Sequence, residues 1–129
     1  KYEDHRATVY NAFIEGRQAI VENCSEVRDA QAQIIKETLS KVVAIRAAYY
    51  LEDAALQTDL SASYFHSLSE GYGFIMSLQF TVDAEGNPYY THDEVNNMLD
   101  QLDAGNGFWD RTDAELNQMA ADIKATCGL

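Results

Sequence analysis

Polar side chains that could do chemistry interrupt the otherwise apolar stretch YFHSLSEGYGF. His66 and Glu70 stand four residues apart, so on a helix they can share a hydrogen bond or converge on one metal ion. Gly73 and Ser77 continue the row, and Ser69 lies beside it. Because aromatic residues flank the row, we predict that it faces inward, against another helix or a cavity. The opposite side of the helix is apolar: Tyr64, Leu68, Ile75 and Leu78.

Two interpretations of this row are open. In one, His66 and Glu70 bind a divalent metal or iron; two side chains alone rarely hold a metal, so further ligands would come from His5, His92 or acidic residues of other helices. In the other, the row is a packing seam whose polar groups satisfy one another. A ligand site on this row would consist of the pair and the polar and basic residues around it, namely His66, Glu70, Ser69, Ser77, Arg17 and Arg46.

The distribution of charge limits the partners of this chain. Its net charge is -12, and residues 47–110 contain eleven acidic residues and no Lys or Arg, whereas residues 1–46 contain seven of each sign. Arg17 and Arg46 are therefore the expected ion-pair partners of Glu70. An acidic surface excludes nucleic acid and anionic membranes as partners and favours a cation or a basic protein, although such a surface also serves solubility alone.

A second metal hypothesis concerns the turn before residue 92. Acidic and polar residues follow the spacing of a calcium-binding loop, but the sixth position, which requires glycine, is Pro88. A helix cap explains the end of the same stretch equally well. The residues that match positions 1, 3, 5, 7, 9 and 12 of the loop are Asp83, Glu85, Asn87, Tyr89, Thr91 and Glu94.

Helical periodicity and capping signals predict an all-α protein, an antiparallel bundle of about five helices in a single domain over residues 1–129. Thr91 and Thr112, each followed three residues later by Glu, predict two capping boxes. The longest apolar run near the opening stretch has 12 residues, too few to span a membrane. The predicted helices cover about residues 4–22, 25–56, 59 or 61 to 80, 92–102 and 113–128.

Cys24 and Cys127 are the two cysteines of the chain, and their spacing matches no zinc motif. In an oxidising compartment they could form a disulfide that stabilises the fold by about 4 kcal/mol. In a cytosol they would remain two thiols. We favour the disulfide slightly, and both outcomes stay open on the sequence alone.

The runs FHSLSEGYGFIMSLQF and GFWD resemble the C-terminal part of a family of uncharacterised bacterial exported proteins, often lipoproteins, placed beside the imelysin-like proteins. The resemblance implies a helical bundle in the periplasm or at the outer membrane, linked to iron or other nutrient uptake. Imelysins were described as metallopeptidases with a Gly-x-His-x-x-Glu motif. This chain departs from the motif, since His66 and Glu70 are four residues apart and position 64 is tyrosine.

Members of the resembled family are longer than 129 residues, which implies that an N-terminal helical portion precedes this chain. Without it, apolar faces of the first two helices would be exposed, and we expect self-association or association with that portion. The sequence thus favours a non-enzymatic binding or scaffold domain. The alternatives are a divergent metal-dependent peptidase that uses His66 and Glu70, and a purely structural interaction module.

Overall fold

The computed structural model describes residues 4–57 and 59–129 and confirms the predicted all-helical fold. Within these residues five α-helices follow one another, and no strand forms beyond an isolated bridge between Val82 and Pro88. The helices are α1 His5–Val21, α2 Ser25–Ala55, α3 Ala62–Ser77, α4 His92–Asp103 and α5 Asp113–Thr126, and 3-10 helices occupy Leu78–Phe80 and Gly107–Asp110.

Local capping sets the starts of the last two helices. The hydroxyl of Thr91 accepts a hydrogen bond from the Glu94 amide, and the Glu94 carboxylate accepts one in return from the Thr91 amide at 2.7 Å. Thr112 and Glu115 repeat this arrangement at the start of α5. Both predicted capping boxes are therefore confirmed, and each satisfies amides that the first helical turn leaves free.

The long helix α2 is the element on which the others assemble. Its N-terminal half packs antiparallel against α1, where Gly16 lies opposite Gln31 and the Gln31 amide donates to Glu15 at 2.9 Å. Its C-terminal half packs against α3 and α5, and Lys124 of α5 donates to Glu52 at 2.5 Å. The two halves of α2 thus serve different neighbours.

Small residues allow α3 to approach α2 closely. A Cβ atom at Gly71 would lie only 3.3 Å from the Cβ of Tyr50. One turn earlier, the hydroxyl of buried Ser67 donates to Asp53 at 2.5 Å. From Ser67 to Gly71 the residue numbers of α3 increase, while those of their α2 partners decrease from Asp53 to Tyr50, so the two helices are antiparallel. The core forms between α2, α3, α4 and α5, and its largest fully buried side chains include Leu51, Leu68, Ile75, Leu78, Val95, Leu102, Leu116 and Ile123.

Arg111 holds the turn between α4 and α5. Its guanidinium donates to the carbonyl oxygens of Gln101 at 2.5 Å, Ala104 at 2.8 Å and Gly107 at 3.2 Å. The last carbonyls of a helix have no partner within the helix, so a cation placed there both pairs them and complements the helix dipole. Arg111 therefore positions α5 relative to α4, a role that the sequence pattern did not indicate.

Candidate functional site

The polar row of α3 lies on the outside of the domain, so the predicted inward orientation is wrong. His66, Ser69, Glu70 and Gly73 are exposed, and Ser77 is half-buried. The hydroxyl of Ser77 donates to the carbonyl of Gly73 at 2.9 Å, a bond within the helix itself. The apolar side of α3 is buried as predicted, with Tyr64, Leu68, Ile75 and Leu78 in the core.

Aromatic packing explains the outward orientation. The flanking aromatic residues were expected to leave little of the helix circumference suited to water, but Phe65, Tyr72 and Phe74 each pack against a ring of a neighbouring segment, and Phe80 is exposed. The flanks of α3 are therefore covered while its outer side stays open. The ring pairs, by centroid distance, are Phe65 with Trp109 at 4.7 Å, Tyr72 with Phe108 at 6.0 Å and Phe74 with Tyr50 at 5.7 Å.

Neither arginine forms the expected ion pair with Glu70 in the part of the chain that the structure describes. Arg46 packs its guanidinium over the ring of Tyr50, 4.6 Å from the centroid, and donates to the hydroxyl of the same residue at 2.6 Å. Arg17 lies exposed on α1. The cation of Arg46 is thus stabilised by aromatic faces instead of by a carboxylate.

No group of three or more His, Cys, Asp or Glu side chains that could hold a metal occurs within residues 4–57 and 59–129. The ring nitrogens of His92 lie 2.9 Å from the side chains of Gln79 and Asn96. His5 is half-buried on α1. Metal binding by His66 and Glu70 stays a prediction, without a third ligand among these residues.

The turn with calcium-loop spacing is closed by its own hydrogen bonds. The carboxylate of Asp83 accepts from the amides of Glu85 at 3.0 Å and Asn87 at 2.7 Å, which holds its pKa below the ordinary value. The carboxylate of Glu94 is occupied by the capping box. The oxygens of a calcium-binding loop all point at one ion. Here the carboxylates of Asp83 and Glu94 accept from backbone amides of their own segment, so the turn carries no converging set of acidic ligands.

Both cysteines are free thiols, so the disulfide is not formed in this structure. Cys24 is exposed in the turn between α1 and α2, beyond the core, whereas Cys127 is buried at the end of α5. Burial raises the pKa of the Cys127 thiol to about 11. The two thiols therefore differ in reactivity, because the thiolate is the reactive form.

An exposed apolar surface lies on one side of α1, and we call it the α1 face. It consists of Tyr10, Phe13, Ile14, Ile20 and Val21, whose spacing places them on one side of the helix with Arg17 among them. These side chains are strongly exposed, for example Phe13 at 59%, Ile20 at 62% and Val21 at 71%. Isolated exposed apolar residues are normal, whereas five on one side of a helix form an exposed apolar patch.

The inner side of α1 shows why the large residues point outward. The side of α1 that packs against α2 consists of small residues. Ala12 and Ala19 are buried there, and Gly16 between them is half-buried. Helical periodicity placed the large apolar residues on one side of α1, and the sequence predicted that this side would be exposed without a covering portion. The spacing of the small residues was the signal in the sequence that distinguishes the two sides.

A depression of about 520 Å³ lies on the surface between α2 and the end of α3. Leu39 and Val43 of α2 and Phe80 contribute its apolar surface, and Ser77 borders it. Phe80 is 79% exposed. Of the predicted site residues, only Ser77 lies here, so the structure does not gather that set around one cavity.

Comparison with known proteins adds the family of the chain. No curated protein and no solved structure matches it significantly. No helix within the described ranges has the length and apolar character of a membrane span. A family model described as a domain of unknown function, DUF4856, matches residues 2–129, and the chain therefore belongs to that family.

Proposed function

We propose that this domain is a non-catalytic protein-interaction module that pairs with a second copy of itself through the α1 face. The observation that carries the proposal is the exposed row of Tyr10, Phe13, Ile14, Ile20 and Val21. Aromatic and aliphatic side chains of this size gain most from burial, about 1.5–3 kcal/mol each when fully covered. Covering this row with a matching apolar surface removes it from water, which favours association.

Charge supports a second copy as the occupant. Residues 1–46, which contain α1 and the part of α2 beside it, carry seven basic and seven acidic residues, whereas the whole chain has a net charge of -12. Two copies that meet elsewhere bring like charges together, but at the α1 face the contact regions are neutral. The α1 face is thus where two copies repel each other least.

The accessible area of the chain supports association as well. It is 7954 Å², compared with about 6,800 Å² expected for a compact monomer of this mass. The excess of about 1,100 Å² exceeds the roughly 800 Å² that each partner buries in a standard interface. Since α1 has α2 as its main helix neighbour, the excess is consistent with a hairpin that lacks a covering layer. Two such hairpins, related by a twofold axis, would form a four-helix bundle.

Solution mass tests this proposal. Light scattering with size-exclusion chromatography should give twice the chain mass for the wild type and the single-chain mass for Phe13→Glu/Ile20→Glu. The matched control is Asn11→Glu/Gln18→Glu, which adds the same charge to exposed positions of α1 outside the face and should remain dimeric. A monomeric wild type across the concentration range, or a control that dissociates as readily as the face variant, would overturn the proposal.

The cellular setting of the module is a further part of the proposal. The resemblance to exported bacterial proteins beside the imelysin-like proteins supports a place in the periplasm or at the outer membrane, and a binding or scaffold role in iron or other metal uptake. Fractionation of cells that express the complete gene tests the location. Metal analysis of the wild type, His66→Ala and Glu70→Ala tests the link to metal. No metal in any of the three samples would rule out the alternative, a divergent metal-dependent peptidase that uses His66 and Glu70, and would leave only a binding or structural role.

A further inference from the structure

A groove separates α4 from α5 on a part of the domain that the proposed self-association does not use. Both helices anchor to other elements, α4 to α3 and α5 to α2, and the space left between them is about 780 Å³. Apolar side chains from both helices and from the segment before α4 form its inner surface: Tyr90, Met98, Leu102, Leu116 and Met119. We call this feature the α4–α5 groove.

Carboxylates border the α4–α5 groove on both sides. Glu94 belongs to α4, and Glu115 and Asp122 belong to α5. Hydrogen bonds from the backbone amides of Thr91 and Thr112 lower the pKa of Glu94 and Glu115 respectively, so both carry charge at neutral pH.

Arg111 is the one basic residue among those that border the described groove. Its guanidinium is engaged with the carbonyls of Gln101, Ala104 and Gly107 and lies 3.9 Å from the carboxylate of Glu115, so Glu94 and Asp122 are the carboxylates of the margins without this cation beside them. A ligand in the groove therefore meets an apolar floor between two negatively charged margins.

We propose that the α4–α5 groove binds an amphipathic helix of a partner protein, with leucine or methionine on its inner side and lysine or arginine along both flanks. Two helices that diverge around an apolar trough provide the seat for a third helix, which is a recurring mode of recognition. With 12 residues, α4 extends for about 18 Å, so a partner helix of about three turns matches its length.

The side chains of the groove suit this partner. Met98 and Met119, one from each helix, are flexible and polarisable, which lets such a surface adapt to different apolar partners. The carboxylates on both margins attract basic flanks and repel acidic ones. An acidic helix or a nucleic acid gains no more from the apolar floor than a basic helix does, and it is repelled by the carboxylates at both margins.

A defined peptide tests the inference. The probe is a fluorescently labelled helical peptide with leucines on one side and lysines on both flanks, and its counterpart replaces every lysine by glutamate. Fluorescence anisotropy should show binding of the lysine peptide, weakening as salt is added, and no binding of the glutamate peptide.

Neighbouring residues of α5 supply a matched pair of variants. Gln118 borders the groove and donates to Asp122 at 2.8 Å, whereas Asn117 is exposed and does not border it. Gln118→Lys places a cation beside Asp122 and should weaken binding of the lysine peptide by about threefold or more. Asn117→Lys makes the same change in net charge and should leave the affinity unchanged.

Three results would overturn the inference: no binding of the lysine peptide, equal binding of the glutamate peptide, or equal effects of the two lysine substitutions. Circular dichroism of both variants shows that they are folded. Phe13→Glu/Ile20→Glu should bind the peptide as the wild type does, so failure at the groove and failure of self-association are separate results.

Discussion

Replacing Arg111 should destabilise the domain more than the loss of one surface charge can explain. In Arg111→Ala, the carbonyl oxygens of Gln101, Ala104 and Gly107 lose their protein donor. A hydrogen bond to a charged group contributes about 1.5–3 kcal/mol when its partner cannot be replaced. Gln101 and Ala104 are exposed, so water replaces part of each bond. Taking about 1 kcal/mol for each carbonyl, we expect the free energy of unfolding to fall by about 2–3 kcal/mol.

The conservative variant and a matched control make this prediction specific. Arg111→Lys keeps the charge, but an ammonium group cannot reach three acceptors as a planar guanidinium does, so it should restore less than half of the loss. Arg28 is the control, because its ion pair with the adjacent Asp29, at 2.7 Å, lies on the surface. Arg28→Ala should leave the urea midpoint nearly unchanged.

Urea unfolding monitored by circular dichroism measures all three variants. The slope with urea should be the same in each, so that a shift in midpoint reports stability alone. If Arg111→Ala unfolds at the same midpoint as Arg28→Ala, or if Arg111→Lys is as stable as the wild type, the carbonyl contacts do not stabilise the α4–α5 turn as we argue.

The remaining predictions concern the glycines of α3 and the cysteines. Gly73 is exposed with nothing within 4 Å of an added Cβ, so Gly73→Ala should raise the free energy of unfolding by about 0.5–1 kcal/mol. Gly71→Val should lower it by about 1–3 kcal/mol, because the added side chain would collide with Tyr50. Urea unfolding of the two variants measures both changes. A thiol reagent should modify Cys24 in the folded protein and Cys127 only after unfolding. Because burial raises the pKa of Cys127 from 9.0 to about 11, the folded protein holds that proton more tightly. Its contribution to stability is complete below pH 9 and is lost as the pH rises to about 11; Cys127→Ala should remove that part of the pH dependence, and an unchanged pH dependence would refute it.

Features decided by neighbouring residues could be predicted from the sequence. The starts of α4 and α5 depend on Thr91 with Glu94 and on Thr112 with Glu115, each within one turn, and both were predicted. The number of helices follows from the same local signals together with the positions of the breakers. The sequence could not show that Arg111 reaches Gln101, because that contact depends on how the turn closes.

The orientation of α3 required knowledge that a single helix does not contain. The helix has a polar row with His66 and Glu70 on one side and an apolar row with Leu68 on the other. Each row extends along the helix, so the sequence allowed either one to pack against a neighbouring helix. The choice depended on where rings from other segments lie, such as Trp109 against Phe65. For α1, an exposed apolar face was predicted from the sequence, whereas the seam of small residues around Ala12 that meets α2 was not identified.

The α1 face and the α4–α5 groove differ in the force that each would use. The α1 face belongs to a neutral region, so its association depends on burial of apolar area. The groove places carboxylates such as Glu94 and Asp122 around an apolar floor, so its selectivity is electrostatic and weakens with salt. Screening also lowers the repulsion between two copies with a net charge of -12 each. Added salt should therefore favour pairing of the domain while it disfavours a basic partner, because apolar contact and charge are assigned to different helices.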